Sequence, residues 1–65
     1  MSINYNKLWK LLIDKKMKRT DLISGAKISS SALSKMGKDE PVSLEVIEKV
    51  CHYLKCDIEQ VVEIE

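Results

Sequence analysis

Apolar residues recur at helical spacing in several short stretches of this chain, and brief polar breaks separate the stretches. In residues 5–15, at about 100° per residue, one arc of a helix carries Tyr5, Leu8, Trp9, Leu12 and Ile13. No stretch shows the strict apolar–polar alternation of a half-buried strand. Because 65 residues can bury only one small core, we predict an all-α fold and a single domain over residues 1–65.

Capping residues and apolar spacing divide the first part of the chain into three helices. The first covers residues 5–15. The second covers about residues 19–25; Thr20 is its best capping residue by type, and Lys18 is the alternative boundary residue. The third begins at Ser29 or Ser30 and ends near Gly37, because serine favours helix starts and glycine favours helix ends.

Two further helices are predicted after Pro41. Ser43 caps a fourth helix over residues 44–54. Asp57 and Gln60 resemble a capping box that opens a short fifth helix over about residues 58–62. The core stripe of the fourth helix consists of Leu44, Ile47, Val50, Cys51 and Leu54.

The third predicted helix has two chemically different faces. One carries Ser30, Ser31, Ser34 and Lys35, and the other carries Ala32, Leu33 and Met36. The second and third helices are joined by a short turn, which is a helix-turn-helix layout. Serine and lysine side chains can contact base edges or phosphates when such a helix enters a major groove. The same face would also suit a plain solvated helix, so this pattern alone leaves both interpretations open.

The net charge of +1 hides a strong division along the chain. Residues 1–38 contain nine Lys or Arg against two Asp, a balance of +7, whereas residues 39–65 contain two Lys against eight Asp or Glu, a balance of −6. One half could therefore face a polyanion that the other half would repel.

Cys51, His52 and Cys56 are the candidates for metal or catalytic chemistry. Their C-H-x-x-x-C spacing is no recognised zinc arrangement, and no second ligand pair completes four ligands. Helical spacing turns Cys51 toward the core and His52 toward solvent, which leaves His52 without a catalytic partner, and we expect neither an enzyme nor a bound metal or cofactor. The two cysteines, the charged start and the lack of an apolar run of about 18 residues lead us to expect a reduced cytoplasmic protein without a membrane span.

The run KRTDLISGAKISSSALSKMGKDEPVSLEVIEKVCHYLKCDIEQVV resembles the Cro/cI-type (XRE) helix-turn-helix family, in particular the short single-domain regulators of Firmicutes and their mobile elements. The resemblance covers about residues 5–64. Its strongest segments are Leu22, Ile28-Ser29, Leu33-Ser34-Lys35, Pro41-Val42-Ser43-Leu44-Glu45 and the closing turn at residues 54–58.

This resemblance implies a five-helix, lambda-repressor-like domain with the third helix in the major groove of double-stranded DNA. The DNA-binding residues that it implies are Arg19 and Thr20 at the start of the bracing helix, Ser29, Ser30, Ser31, Ser34 and Lys35 on the recognition helix, and Lys38 in the loop that follows. Lys27 stands where the family usually has glycine, so it must adopt an uncommon positive φ or alter the turn.

We therefore expect a sequence-specific DNA-binding transcriptional regulator of the bacterial cytoplasm, associated with the nucleoid when bound. We expect repression by promoter occupancy, since no activation surface or effector domain is visible. A homodimer is also expected, with contacts from residues that could instead close the monomer core: Val46, Tyr53, Val61, Val62 and Ile64.

The alternative function is a small helical protein-interaction module, such as an antitoxin or an adaptor. Its working surface would be the acidic second half, with Val46, Tyr53 and the last helix as anchors.

Overall fold

The computed structural model describes residues 2–64, and this part of the chain contains four α-helices. The elements are β1 (Ile3–Asn4), α1 (Asn6–Asp14), α2 (Asp21–Gly25), α3 (Ser30–Gly37), α4 (Leu44–Leu54), a 3₁₀ turn (Ile58–Gln60) and β2 (Glu63–Ile64). Within these residues, no helix has both the length and the apolar character that a membrane crossing requires.

The expected fifth α-helix is a 3₁₀ turn of three residues. Asp57 and Gln60 do form the predicted capping box, and the Asp57 N–H donates to Gln60 Oε1 at 3.1 Å. The turn does not continue as an α-helix, because the chain becomes extended after Val62 and enters β2.

The expectation of an all-α chain missed a small sheet that joins the two ends of the described chain. β1 and β2 pair antiparallel, with Ile3 opposite Ile64 and Asn4 opposite Glu63. Strands of two residues are too short to show the alternation that marks a strand in sequence. Lys7 of α1 adds an ion pair with Glu63 at 3.5 Å.

The apolar arcs of the helices meet in one core. Its fully buried large side chains are Tyr5, Leu8, Leu12, Leu22, Met36, Val50 and Val61. Two residues predicted in apolar stripes are instead exposed, Ile13 by 72% and Leu44 by 75%. Both lie in a terminal turn of their helix, and angular spacing does not reveal whether another element covers a helix end.

Tyr5 links the start of α1 to the loop after α3. Its side chain is completely buried, and its hydroxyl donates to the backbone carbonyl of Glu40 at 2.7 Å. A buried tyrosine hydroxyl needs such a partner. Burial raises the pKa of the Tyr5 hydroxyl above its ordinary value.

A left-handed residue that is not glycine follows each of the four helices. These residues are Lys16 (φ 58°), Lys27 (φ 61°), Asp39 (φ 58°) and Lys55 (φ 53°). Of the two alternatives predicted for Lys27, a positive φ or an altered turn, the structure has the positive φ. Helices often end in this conformation, but usually with glycine, because a Cβ makes it unfavourable by about 1 kcal/mol.

Lys16→Gly should raise the free energy of unfolding by about 1 kcal/mol, because glycine adopts a positive φ without the Cβ penalty. Lys15→Gly is the matched control, because Lys15 is the neighbouring lysine and has an ordinary φ of −86°. The control should lower the free energy of unfolding by roughly 0.5–1 kcal/mol. Urea denaturation measures both, and a destabilising Lys16→Gly would contradict the strain assigned to Lys16.

Gly25 allows α2 and α4 to approach closely. A Cβ at Gly25 would overlap the Tyr53 ring, although the backbone of Gly25 does not have a positive φ. Space, rather than backbone conformation, therefore favours glycine at this position, because a side chain here would have to displace the end of the Tyr53 ring.

Gly25→Ala should lower the free energy of unfolding by about 1–3 kcal/mol, because the added methyl group overpacks the contact with Tyr53. In a Tyr53→Ala background the same change should be neutral or stabilising, since alanine is the better helix former. Thermal or urea unfolding of the four proteins in this cycle provides the test. Equal changes in the free energy of unfolding in both backgrounds would show that the Tyr53 ring does not cause the effect of Gly25→Ala.

Candidate nucleic-acid interface

α3 is anchored by a cap at its start and by two buried side chains along its inner face. Ser29 has an extended backbone, and its Oγ accepts a hydrogen bond from the Ala32 N–H at 3.0 Å. Ala32 is 8% exposed and Met36 is completely buried. The predicted start, end and core side of this helix are therefore confirmed.

The outer side of α3 carries the serine face, which we define as Ser30, Ser31, Ser34 and Lys35. All four residues are exposed. The hydroxyls of the three serines have no hydrogen-bond partner among residues 2–64. They are available to donate to, or to accept from, a molecule that approaches this side of the helix.

Ser29 differs from the other serines although it is also exposed. Its oxygen already accepts the capping bond from Ala32, which leaves its hydroxyl hydrogen and one further lone pair for other partners. Its principal structural role is to hold the start of α3.

A shallow hollow separates the starts of α3 and α4. Ser29, Ser31 and Lys35 line one side, and Ser43 and Val46 line the other. Ser43 caps α4, because its Oγ accepts from the Val46 N–H at 3.3 Å. Two helix starts and a lysine give the hollow a positive character that suits an anion such as a phosphate.

Ser43 was predicted only as a cap, so sequence reasoning missed its place in this hollow. Its type and position gave the signal for a helix start. The spacing of residues within α4 could not show that the start of α3 would lie opposite Ser43.

Arg19 lies at the other end of α3. Its guanidinium carbon lies over the Trp9 ring, 3.9 Å from the ring centroid. Its Nη1 atom also lies close to Gly37, since a Cβ at Gly37 would be 3.7 Å away. Arg19 is nevertheless exposed, as is Lys38 just after α3.

Thr20 is exposed at the N-cap position of α2, and its side chain makes no capping hydrogen bond. The Asp21 carboxylate instead accepts from the Lys18 N–H at 2.9 Å. Thr20 was predicted as the capping residue by type. It occupies the N-cap position, but its side chain accepts no hydrogen bond from the helix.

The five apolar residues predicted for a dimer contact have very different exposures. Val61 is completely buried within the protomer, which corresponds to the alternative predicted for it, closing the monomer core. Val46 and Val62 are half-buried. Tyr53 is 38% exposed and Ile64 is 62% exposed.

Sequence reasoning missed an apolar surface between α4 and the 3₁₀ turn. Leu44 and Ile58 are exposed by 75% and 49%. They border one hollow together with Ile47, Cys51 and Cys56. Leu44 is a large apolar residue at the start of α4, which could have indicated an exposed apolar surface. Because Leu44 falls in the apolar stripe of the helix, burial was predicted instead.

Cys51 and Cys56 are both half-buried, unbridged thiols. The Cys56 N–H donates to the Cys51 carbonyl at 3.1 Å, across the end of α4. Burial raises the pKa of both thiols above the ordinary value. Among residues 2–64, no group of three or more His, Cys, Asp or Glu side chains is arranged to hold a metal ion.

Comparison with known proteins gives a family match and a structural match. A family model described as Cro/C1-type HTH DNA-binding domain matches residues 7–65. The chain is also similar to a solved structure, "Crystal structure of transcriptional regulator VanUg, Form II", with 47% sequence identity and a TM-score of 0.91. That match covers 95% of this chain and 83% of the other. No curated protein matches the chain.

Proposed function

This chain belongs to the family of Cro/C1-type helix-turn-helix DNA-binding domains, and on that premise we propose that it is a transcription regulator that binds double-stranded DNA through α3. The observation that carries the proposal is the two-sided structure of α3. Met36 fixes its inner side in the core, while the exposed side chains of its outer side are those of the serine face. A major groove about 12 Å wide admits such a helix.

The proposed contacts with bases come from Ser30, Ser31 and Ser34. Their hydroxyls can bond to either donors or acceptors on base edges. Their small size lets the helix backbone approach the groove closely. Serine cannot make the bidentate contacts that discriminate bases by about 1–3 kcal/mol each, so Lys35 is the one residue of the serine face able to make such a contact, to guanine. Specificity would then depend on two bound subunits and on DNA shape.

The proposed contacts with the DNA backbone lie around the two ends of α3. At its start, Ser29, Ser43 and Lys35 border the hollow that suits a phosphate. Beyond its end, Lys38 and the stacked Arg19 are exposed cations. We include Thr20 in this set as a hydroxyl donor at the start of α2. Together these groups would set the register of α3 in the groove.

A selection of bound duplexes from a random DNA library, at near-physiological salt, tests the proposal. We expect an enriched inverted repeat with half-sites about 10 bp apart. An enriched single half-site would support DNA recognition and reject the dimer. Retention that depends on salt but enriches no motif would reject sequence specificity. No retention at all would overturn DNA binding in favour of a protein-interaction module that uses the acidic half.

Replacing Ser30, Ser31 and Ser34 together with alanine should change the enriched motif, because the proposed base contacts are lost. The fold should survive, since all three side chains are exposed and alanine favours helices. The matched control is Ser24→Ala, an exposed serine of α2. An unchanged motif from the triple variant would remove the serine face from recognition.

Lys35→Ala and Arg19→Ala should each weaken binding to the selected duplex. Arg19→Ala should act almost equally on all sequences and should lower the slope of log affinity against log salt by about one, as expected for a lost phosphate contact. Lys55→Ala, an exposed lysine at the end of α4, is the control and should change neither quantity. A strongly sequence-dependent effect of Arg19→Ala, measured by fluorescence anisotropy, would contradict the assignment.

The proposed regulatory effect is repression, because a domain seated on a promoter excludes other proteins from that DNA. The proposed setting is the bacterial cytoplasm, with the protein on the nucleoid when bound. Occupying a duplex involves no covalent step, so the proposed function includes no enzymatic activity.

We further propose a homodimer, since two copies related by a two-fold axis can read two half-sites. The apolar hollow at Leu44 and Ile58 supports this proposal, because two large apolar side chains are exposed on one surface. Tyr53 and Ile64 are further exposed candidates, and Val46 and Val62 could contribute their exposed parts.

Leu44→Asp should raise the dissociation constant of the dimer by roughly tenfold or more, because a charge would be desolvated in the contact. Ile13→Asp is the matched control, since Ile13 is similarly exposed, by 72%, and lies on α1. Sedimentation equilibrium over micromolar concentrations measures both. Equal dissociation constants for the two variants would exclude this hollow from the dimer contact.

A further inference from the structure

The guanidinium carbon of Arg19 lies over the Trp9 ring, 3.9 Å from the ring centroid. We infer that Trp9 is a positioning residue that orients Arg19 toward a DNA phosphate, an inference that rests on the proposed DNA binding. The two residues come from different elements, since Trp9 is in α1 and Arg19 precedes α2. Nothing in the helical spacing of either element indicates that they meet.

The Trp9 ring is a rigid platform for the cation. It is half-buried and packs against the core. Its centroid lies 6.5 Å from that of Tyr5, with the rings tilted by 56°. Tyr5 in turn is completely buried and hydrogen-bonded to the Glu40 carbonyl. A cation attracted to the face of a fixed ring is itself held in place.

Stacking leaves the hydrogen-bonding edges of the guanidinium available. When a guanidinium packs on an aromatic ring by its flat face, its N–H donors lie in its own plane and remain available. A guanidinium in this orientation can still bind two phosphate oxygens at once. Because arginine has many rotamers when unrestrained, an arginine that is already oriented loses less freedom on binding.

The stacked position is also at the right place on the proposed interface. Arg19 Nη1 lies beside Gly37, which is the last residue of α3. Gly37 has no side chain to occupy the space next to the guanidinium. The contact with Trp9 therefore holds the cation beside Gly37, at the end of the helix that carries the serine face.

A double-mutant cycle on binding to the selected duplex tests the inference. Trp9→Leu removes the ring, and Trp9→Phe keeps an aromatic face at the same position. Trp9→Leu should weaken binding about 2- to 5-fold, as expected from the strength of an exposed cation–π contact. Trp9→Phe should weaken it less than about twofold. In an Arg19→Ala background, Trp9→Leu should change affinity by less than about 1.5-fold.

A purely structural role for Trp9 predicts a different cycle, in which Trp9→Leu costs the same affinity whether or not Arg19 is present. That result would overturn the inference, and so would equal losses for Trp9→Phe and Trp9→Leu. Binding is measured well below the melting temperature of every variant, so that unfolding does not contribute.

Trp9 provides an independent readout because it is the only tryptophan of the chain. Arg19→Ala should change its fluorescence emission in the protein without DNA, and an unchanged spectrum would overturn the stacked arrangement. Failure of the wild-type protein to bind any duplex would overturn the proposed function itself, whatever the fluorescence result. Duplex binding that is indifferent to Trp9 would overturn only its positioning role.

Discussion

The burial of Ala32 and Met36 is the contact on which the rest of this structure depends. A helix of eight residues is not stable in water by itself. α3 exists because its inner side chains fill the core and because Ser29 caps its first turn. The direction of the serine face is therefore set by packing on the opposite side of the helix. The burial of Ala32 and Met36 thus stabilises the core and also turns the serine face toward solvent.

Local signals in the sequence were sufficient for the helices that carry the candidate site. Ser29 and Ser43 are strong caps, and α3 and α4 begin directly after them. Apolar spacing identified the buried side of α3, including Met36. The unusual backbone of Lys27 could be anticipated because the resemblance placed it where glycine is expected. Each of these features depends on residues within about one turn of each other, so the sequence displays them directly.

The features that were missed depend on which distant elements meet. The hydrogen bond from Tyr5 to Glu40, the stacking of Arg19 on Trp9 and the contact of Tyr53 with Gly25 join different parts of the chain. Helical spacing gives the direction of a side chain around its own axis, but not its partner. The same limit explains why Leu44 was expected in the core and why Val61 was considered for a dimer contact.

Contact between the serine face of α3 and the DNA is central to the proposed function, and a nuclear magnetic resonance titration with the selected duplex tests it most directly. We predict that the backbone amide signals of Ser30, Ser31, Ser34 and Lys35 shift on binding. The signals of Glu48, His52 and Lys55, which are exposed on or just after α4, should remain in place. Shifts confined to α4, with α3 unchanged, would contradict binding through the serine face and assign it to the acidic half of the chain.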